Sequence, residues 1–246
     1  MKEPVFNGDG LRFKSLEDYV AFKSFHDFVN NKNAIDAHLK SYEYYATDPS
    51  LHEERTDIML GNQKTEDIIS SLNHFGGLTL TSLCTTFEIA IKEFLCCYFF
   101  HNPKTMYGFL GRDDSKGMVS LNDMLTVNTY QALIVNLATK SASKASKGTY
   151  GEAFSRVGKL CKANIDKEVL TKLNDLQTYR NKIVHEKFLK QWTLSDISDY
   201  EVLVSSVIEE ICRFGIAKNI PGKYTCVSGE NRMELASVAV LGKKEI

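Results

Sequence analysis

Three residues at the end of one apolar-periodic run have the side chains to do chemistry: Arg180, Asn181 and His185, within Tyr179-Arg180-Asn181-Lys182-Ile183-Val184-His185-Glu186. An imidazole moves protons near neutral pH, and a guanidinium holds a phosphate in two-point contact while negative charge builds on it. Together these are ingredients for cutting RNA without a metal. A chain with six histidines meets an arginine four to six residues ahead of one by chance about half the time. Spacing alone therefore decides little, and placement must carry the reading.

The placement follows from helical periodicity. Leu170, Leu173, Leu176, Ile183 and Val184 form one stripe from Lys167 onward, and a step of about 100° per residue puts Arg180 on that stripe between Leu176 and Val184. Its stem should therefore meet packed surface, where an arginine needs a carboxylate or a phosphate. Asn181 and His185 lie about 40° apart as i,i+4 neighbours, so the amide can orient the imidazole; Arg180 and His185 lie about 140° apart. The guanidinium must curl round to that histidine or meet one from another chain. Each residue also has a plain structural use: His185 beside a helix C-terminus, Arg180 as partner to an acid, Asn181 as a surface amide.

The surroundings are basic. From Lys140 to Lys190 there are twelve basic and five acidic residues, net +7, so the rest of the chain carries −8 of a total of −1. Such a block is either a solvated face or a surface for a polyanion, and Lys144, Lys147 and Lys182 are its candidate RNA contacts. The run Ser141 to Gly148 reads as a small, basic loop.

The elements that must hold these residues are helices. Leu80, Leu83, Cys84, Phe87, Ala90, Ile91, Phe94, Leu95 and Tyr98 predict a long core helix ending before Asn102-Pro103. Glu88 within it reads as an i,i+4 surface partner of Lys92. Ser15 with Asp18 suggests the start of a first helix, and a second is expected from about Ala34 to Tyr45. His52 to Lys64 looks like a weak helix or connector. Ser120 with Asp123 should open a helix carrying Leu133, Ile134 and Leu137, and a short one follows from Tyr150 to Cys161. Thr193 with Asp196 should cap a last helix stopped near Gly215, with Trp192 stapling its start. From Pro221 to Leu241 short alternating stretches suggest a small β-hairpin.

Composition sets the outer limits. With 246 residues, 43% hydrophobic and 25% charged, the chain is ordinary globular material. It has neither a basic-then-apolar leader nor a run of about 20 uncharged apolar residues, so a cytoplasmic protein without membrane association is expected. The six cysteines form no CxxC pair, which supports neither a disulfide framework nor a zinc site. No P-loop, GxSxG or HExxH pattern occurs, and no metal or cofactor is expected.

Arg180, Asn181 and His185, preceded by the Leu80–Tyr98 helix with its glutamate, resemble the HEPN superfamily of helical domains, whose signature is arginine, a polar residue and then histidine. The likeness is strongest to its RiboL-PSP subgroup and covers roughly residues 64–217. It implies an all-α bundle of four to five core helices that forms a homodimer with facing motifs. In this division, 1–63 is an N-terminal helical extension, 64–218 the bundle and 219–246 a C-terminal extension. The resemblance further implies a metal-independent endoribonuclease, used as a toxin or antiviral effector and governed by an inhibitory or activating protein partner. Arg180, His185 and Asn181 are then the catalytic residues. A noncatalytic module that binds nucleotide, RNA or a partner protein is the alternative.

Overall fold

The computed structural model describes residues 3–40, 54–110, 127–186, 190–225 and 227, with backbone alone for 39–40 and 54–61. Among these residues the chain is an all-α bundle. Its helices are α1 (Gly8–Val29), α2 (Lys32–Lys40), α3 (Glu54–His101), α4 (Tyr107–Leu110), α5 (Tyr130–Ala145), α6 (Tyr150–Cys161), α7 (Lys167–Glu186) and α8 (Leu194–Ala217). One pair of two-residue strands, β1 (Phe6–Asn7) and β2 (Gly222–Lys223), runs parallel. Most of the hairpin expected after Pro221, like the expected helix start at Ser120, lies outside the described residues. No described helix is long and apolar enough to cross a membrane, and no disulfide joins the described cysteines 84, 96, 97, 161 and 212.

α3 is the axis. Its 48 residues span about 72 Å, and α1, α5, α6, α7 and α8 all pack on it. All nine positions of the stripe from Leu80 to Tyr98 are buried, and the helix stops at His101, just before Asn102-Pro103. Its start lies well before that stripe. The polar stretch from Glu54 onward is a continuous part of α3, because non-apolar helix formers can extend a helix that its far half already anchors. The 63/64 division therefore falls inside α3, and Phe6 and Phe22 join the same core as Phe94, Phe154, Leu176 and Ile208.

α1 begins earlier than its sequence suggested. The Asn7 side chain caps it by accepting from the Gly10 amide at 3.2 Å, while Ser15 is fully buried in mid-helix. Its hydroxyl donates to the Arg12 carbonyl (2.9 Å) and meets Ser205 (3.0 Å) and Glu201 (3.3 Å) of α8. Asp18, the other half of the supposed start signal, accepts from Ser82 of α3 at 2.6 Å. Both polar residues tie α1 to its neighbours rather than open it.

Small residues misled at α5. Ala138, Ser141, Ala142 and Ala145 are fully buried, so what read as a loop from Ser141 is the last turn of a helix packed closely on α3. Only Ser146 to Thr149 turns, through Gly148 at φ +101°, a conformation that favours glycine. α6 then starts where expected, with a capping box between Thr149 and Glu152. The Thr193–Asp196 box likewise starts α8. That helix continues past Gly215, where the missing side chain leaves room for the Tyr224 ring.

Candidate functional site

The candidate residues stand on α7, which runs antiparallel to α3. Gly77 faces Ile183, and seven residues further along α3 the Cys84 thiol lies 4.0 Å from the Leu176 carbonyl oxygen. Leu173 and Leu176 are fully buried, as the stripe requires. Val184, expected on that stripe, is 48% exposed. The seam between the two helices explains this, since residues just past an antiparallel contact, Leu78 (51% exposed) and Val184, turn to the same open side.

Arg180 is half-buried beside that seam. Its Nη1 donates to Oδ1 of Asn181 at 3.2 Å; no described carboxylate lies within ion-pairing distance. No hydrogen bond joins Asn181 to His185 among the described residues; the amide oxygen accepts from the arginine instead. His185 is exposed, and its side chain makes no hydrogen bond among the described residues. Nine residues beyond Leu176, it points about 180° away from the buried face. Within one chain, then, Arg180 and Asn181 are joined, and the His185 side chain is hydrogen-bonded to neither.

Behind Arg180 lies a polar corner where α3, α6 and α7 meet. The Tyr150 hydroxyl donates to Glu88, so Glu88 pairs with α6 and not with Lys92 as its spacing suggested. Burial, the neighbouring Cys84 and the bond to Glu88 push the Tyr150 phenol up; Arg180 opposes the shift. Burial pushes the Cys84 thiol up to about 12, against the pull of the neighbouring Tyr150 and of Arg180. Both groups therefore stay protonated at neutral pH, and Tyr150 is a donor there.

The turn before α6 is fastened to the motif helix. The amides of Tyr150 and Gly151 donate to Gln177 and Asn174, each at 2.9 Å. Arg156 donates to the carbonyls of Ala145 (2.6 Å) and Lys147. These bonds occupy the first amides of α6, which leaves that helix start no free donors for an anion. The turn they hold carries the exposed Lys147, next to Gly148, whose carbonyl accepts from Gln177 of α7 at 3.5 Å. Lys144 is exposed on the last turn of α5; Lys182, half-buried, projects about 200° round α7 from Arg180. The candidate RNA contacts are thus divided between two sides of the helix.

Tyr150, Gln177 and Asn174 gave no sign of this role in the sequence. Their partners are 62, 27 and 23 residues away, and no short motif spans such distances. No family model matches the chain, nor does any curated protein or solved structure.

Proposed function

We propose that the protein is a metal-independent endoribonuclease of the HEPN type that works as a homodimer, as a toxin or antiviral effector under the control of a protein partner. The observation that carries this reading is the disposition of α7: Arg180 and Asn181 are bonded to each other, and the exposed His185 lies about 140° round the helix from Arg180. A second copy apposed along α7 brings its own His185 to this Arg180, and the exposed Leu78 and Val184 give that apposition an apolar patch. In each such site His185 takes the proton of the ribose 2′-hydroxyl as its oxygen attacks the adjacent phosphorus. The bond to the 5′-oxygen breaks and the proton returns to that oxygen, leaving a 2′,3′-cyclic phosphate and a 5′-hydroxyl. Arg180 stabilises the charge on the pentavalent phosphorus, Asn181 holds the guanidinium in place, and Lys144, Lys147 and Lys182 draw in the backbone.

Mixing two inactive chains tests the shared site. Purified Arg180→Ala and His185→Ala proteins, each without cleavage of RNA in EDTA, are combined and allowed to exchange subunits. A two-chain site rebuilds one intact Arg180/His185 pair per mixed dimer, restoring about a quarter of wild-type activity. No recovery despite verified exchange removes the shared site. Intact RNA with the wild-type protein favours instead a noncatalytic module that binds nucleotide, RNA or a partner protein, a reading supported by the absence of any hydrogen bond between the His185 and Arg180 side chains among the described residues.

A further inference from the structure

We propose that Lys190 is a positioning residue that pins the motif helix from within, rather than one more cation for RNA. Its ammonium sits 5.3 Å from the ring centre of Tyr179 and 4.7 Å from that of Trp192, and it bonds Asp196 Oδ1 at 2.9 Å. Tyr179 immediately precedes Arg180. The contact therefore brings Lys190 back against Tyr179, and Arg180, Asn181 and His185 all lie between these two in sequence.

Each partner of Lys190 is itself fixed. Asp196 uses its other oxygen to accept from the Thr193 amide (3.0 Å) and hydroxyl (2.7 Å), so the carboxylate that starts α8 also holds the ammonium. Burial raises the Asp196 carboxyl, but the Thr193 amide and the Lys190 ammonium outweigh it and hold the group below its ordinary range. Trp192 is 2% exposed and fills a notch made by Gly76 and Gly77 of α3, where a Cβ on Gly76 would stand 2.7 Å from the Trp192 side chain. Tyr179 stacks edge-on against both Trp192 and Tyr200, with ring centres 6.0 and 6.1 Å away.

The consequence concerns the last turn of α7. Carbonyls at a helix end lack intrahelical partners and such turns fray, yet His185 must hold its place for any reaction that depends on it. A cation between two aromatic faces and a carboxylate is attracted to all three, and this one joins the chain beyond α7 to the middle of α7 and, through Trp192, to α3. Ordering His185 in this way favours a reactive geometry without any contact between Lys190 and RNA.

The inference rests on the ribonuclease reading for its kinetic arm but not for its spectroscopic one. Lys190→Met keeps the length of the side chain and removes the charge; Lys190→Arg keeps the charge. The expected result for Lys190→Met is a shifted emission of Trp192, the only tryptophan in the chain, and about tenfold faster hydrogen exchange of amides 180–186. Its kcat should fall about tenfold with KM for RNA within about twofold, and Lys190→Arg should restore all three quantities toward wild type. Unchanged emission and exchange overturn the pin whether or not RNA is cleaved. A loss confined to KM, with emission and exchange unaltered, identifies Lys190 as an RNA-binding cation instead. If the wild-type protein cleaves nothing while emission and exchange respond as expected, the pin stands and the enzymatic reading falls.

Discussion

The two sides of this bundle treat arginine differently. Where α1 meets α8, Arg12 pairs with Glu209 at 2.9 Å, and Arg213 on α8 pairs with Glu210 at 2.7 Å and Glu209 at 3.6 Å. Even Arg156, at the turn before α6, has Glu152 at 3.4 Å along with two carbonyls. On α7, Arg180 has, among the described residues, only a neutral amide as its side-chain hydrogen-bond partner. A guanidinium already neutralised by carboxylates is a poor phosphate ligand, because an incoming anion must displace them. The first side commits its guanidiniums to carboxylates, across helices at Arg12 and within α8 at Arg213; the second leaves a cation half-buried and still able to take an anion.

Breaking this contrast has graded consequences. The largest is expected at the motif, where Arg180→Ala or His185→Ala should lower RNA cleavage at least about 100-fold, or about 2.7 kcal/mol at the transition state. Retained cleavage in either variant would collapse the distinction between the two sides. Gly76→Val comes next. It pushes a branched side chain into the space of Trp192 and should cost about 2 kcal/mol of stability in urea unfolding, whereas an unchanged midpoint would mean that the notch is not tight. Tyr150→Phe removes the bond to Glu88 and should cost about 1 kcal/mol; no loss would reduce that corner to a surface contact. Arg213→Ala is the control. Its side chain is 56% exposed, so stability should change by no more than about 0.5 kcal/mol and cleavage not at all. A large effect there would show that surface charge on either side matters alike.

What the sequence made legible was whatever is encoded locally. Thr149 and Thr193 are each followed three residues later by an acid, and α6 and α8 start at those points. The stripe of α3 repeats at helical spacing, and every one of its positions is buried. The half-burial of Arg180 likewise follows from a 100° step. Tertiary demands decided the rest. Ser15 and Asp18 resembled a cap because caps and buried cross-links use the same side chains, and the larger structure assigned them to Glu201 and Ser82. Ser141 to Ala145 resembled a linker because close helix packing selects the small residues that loops also favour. Glu88 stood four residues before a lysine, yet a tyrosine 62 residues away took its carboxylate.

The short strand pair has a consequence for how this chain folds. It fastens Phe6 to Gly222 and Asn7 to Lys223, with Phe6 donating to the Pro221 carbonyl at 3.1 Å and Thr225 donating to Asp9 at 2.8 Å. Bringing residues so far apart in sequence together from an open coil is costly, and two residues of ladder cannot offset that loss. The pair becomes affordable only after α1 has docked on α3 and α8. It is thus expected to form late, so that breaking its bonds should speed unfolding and leave the rate of folding unchanged.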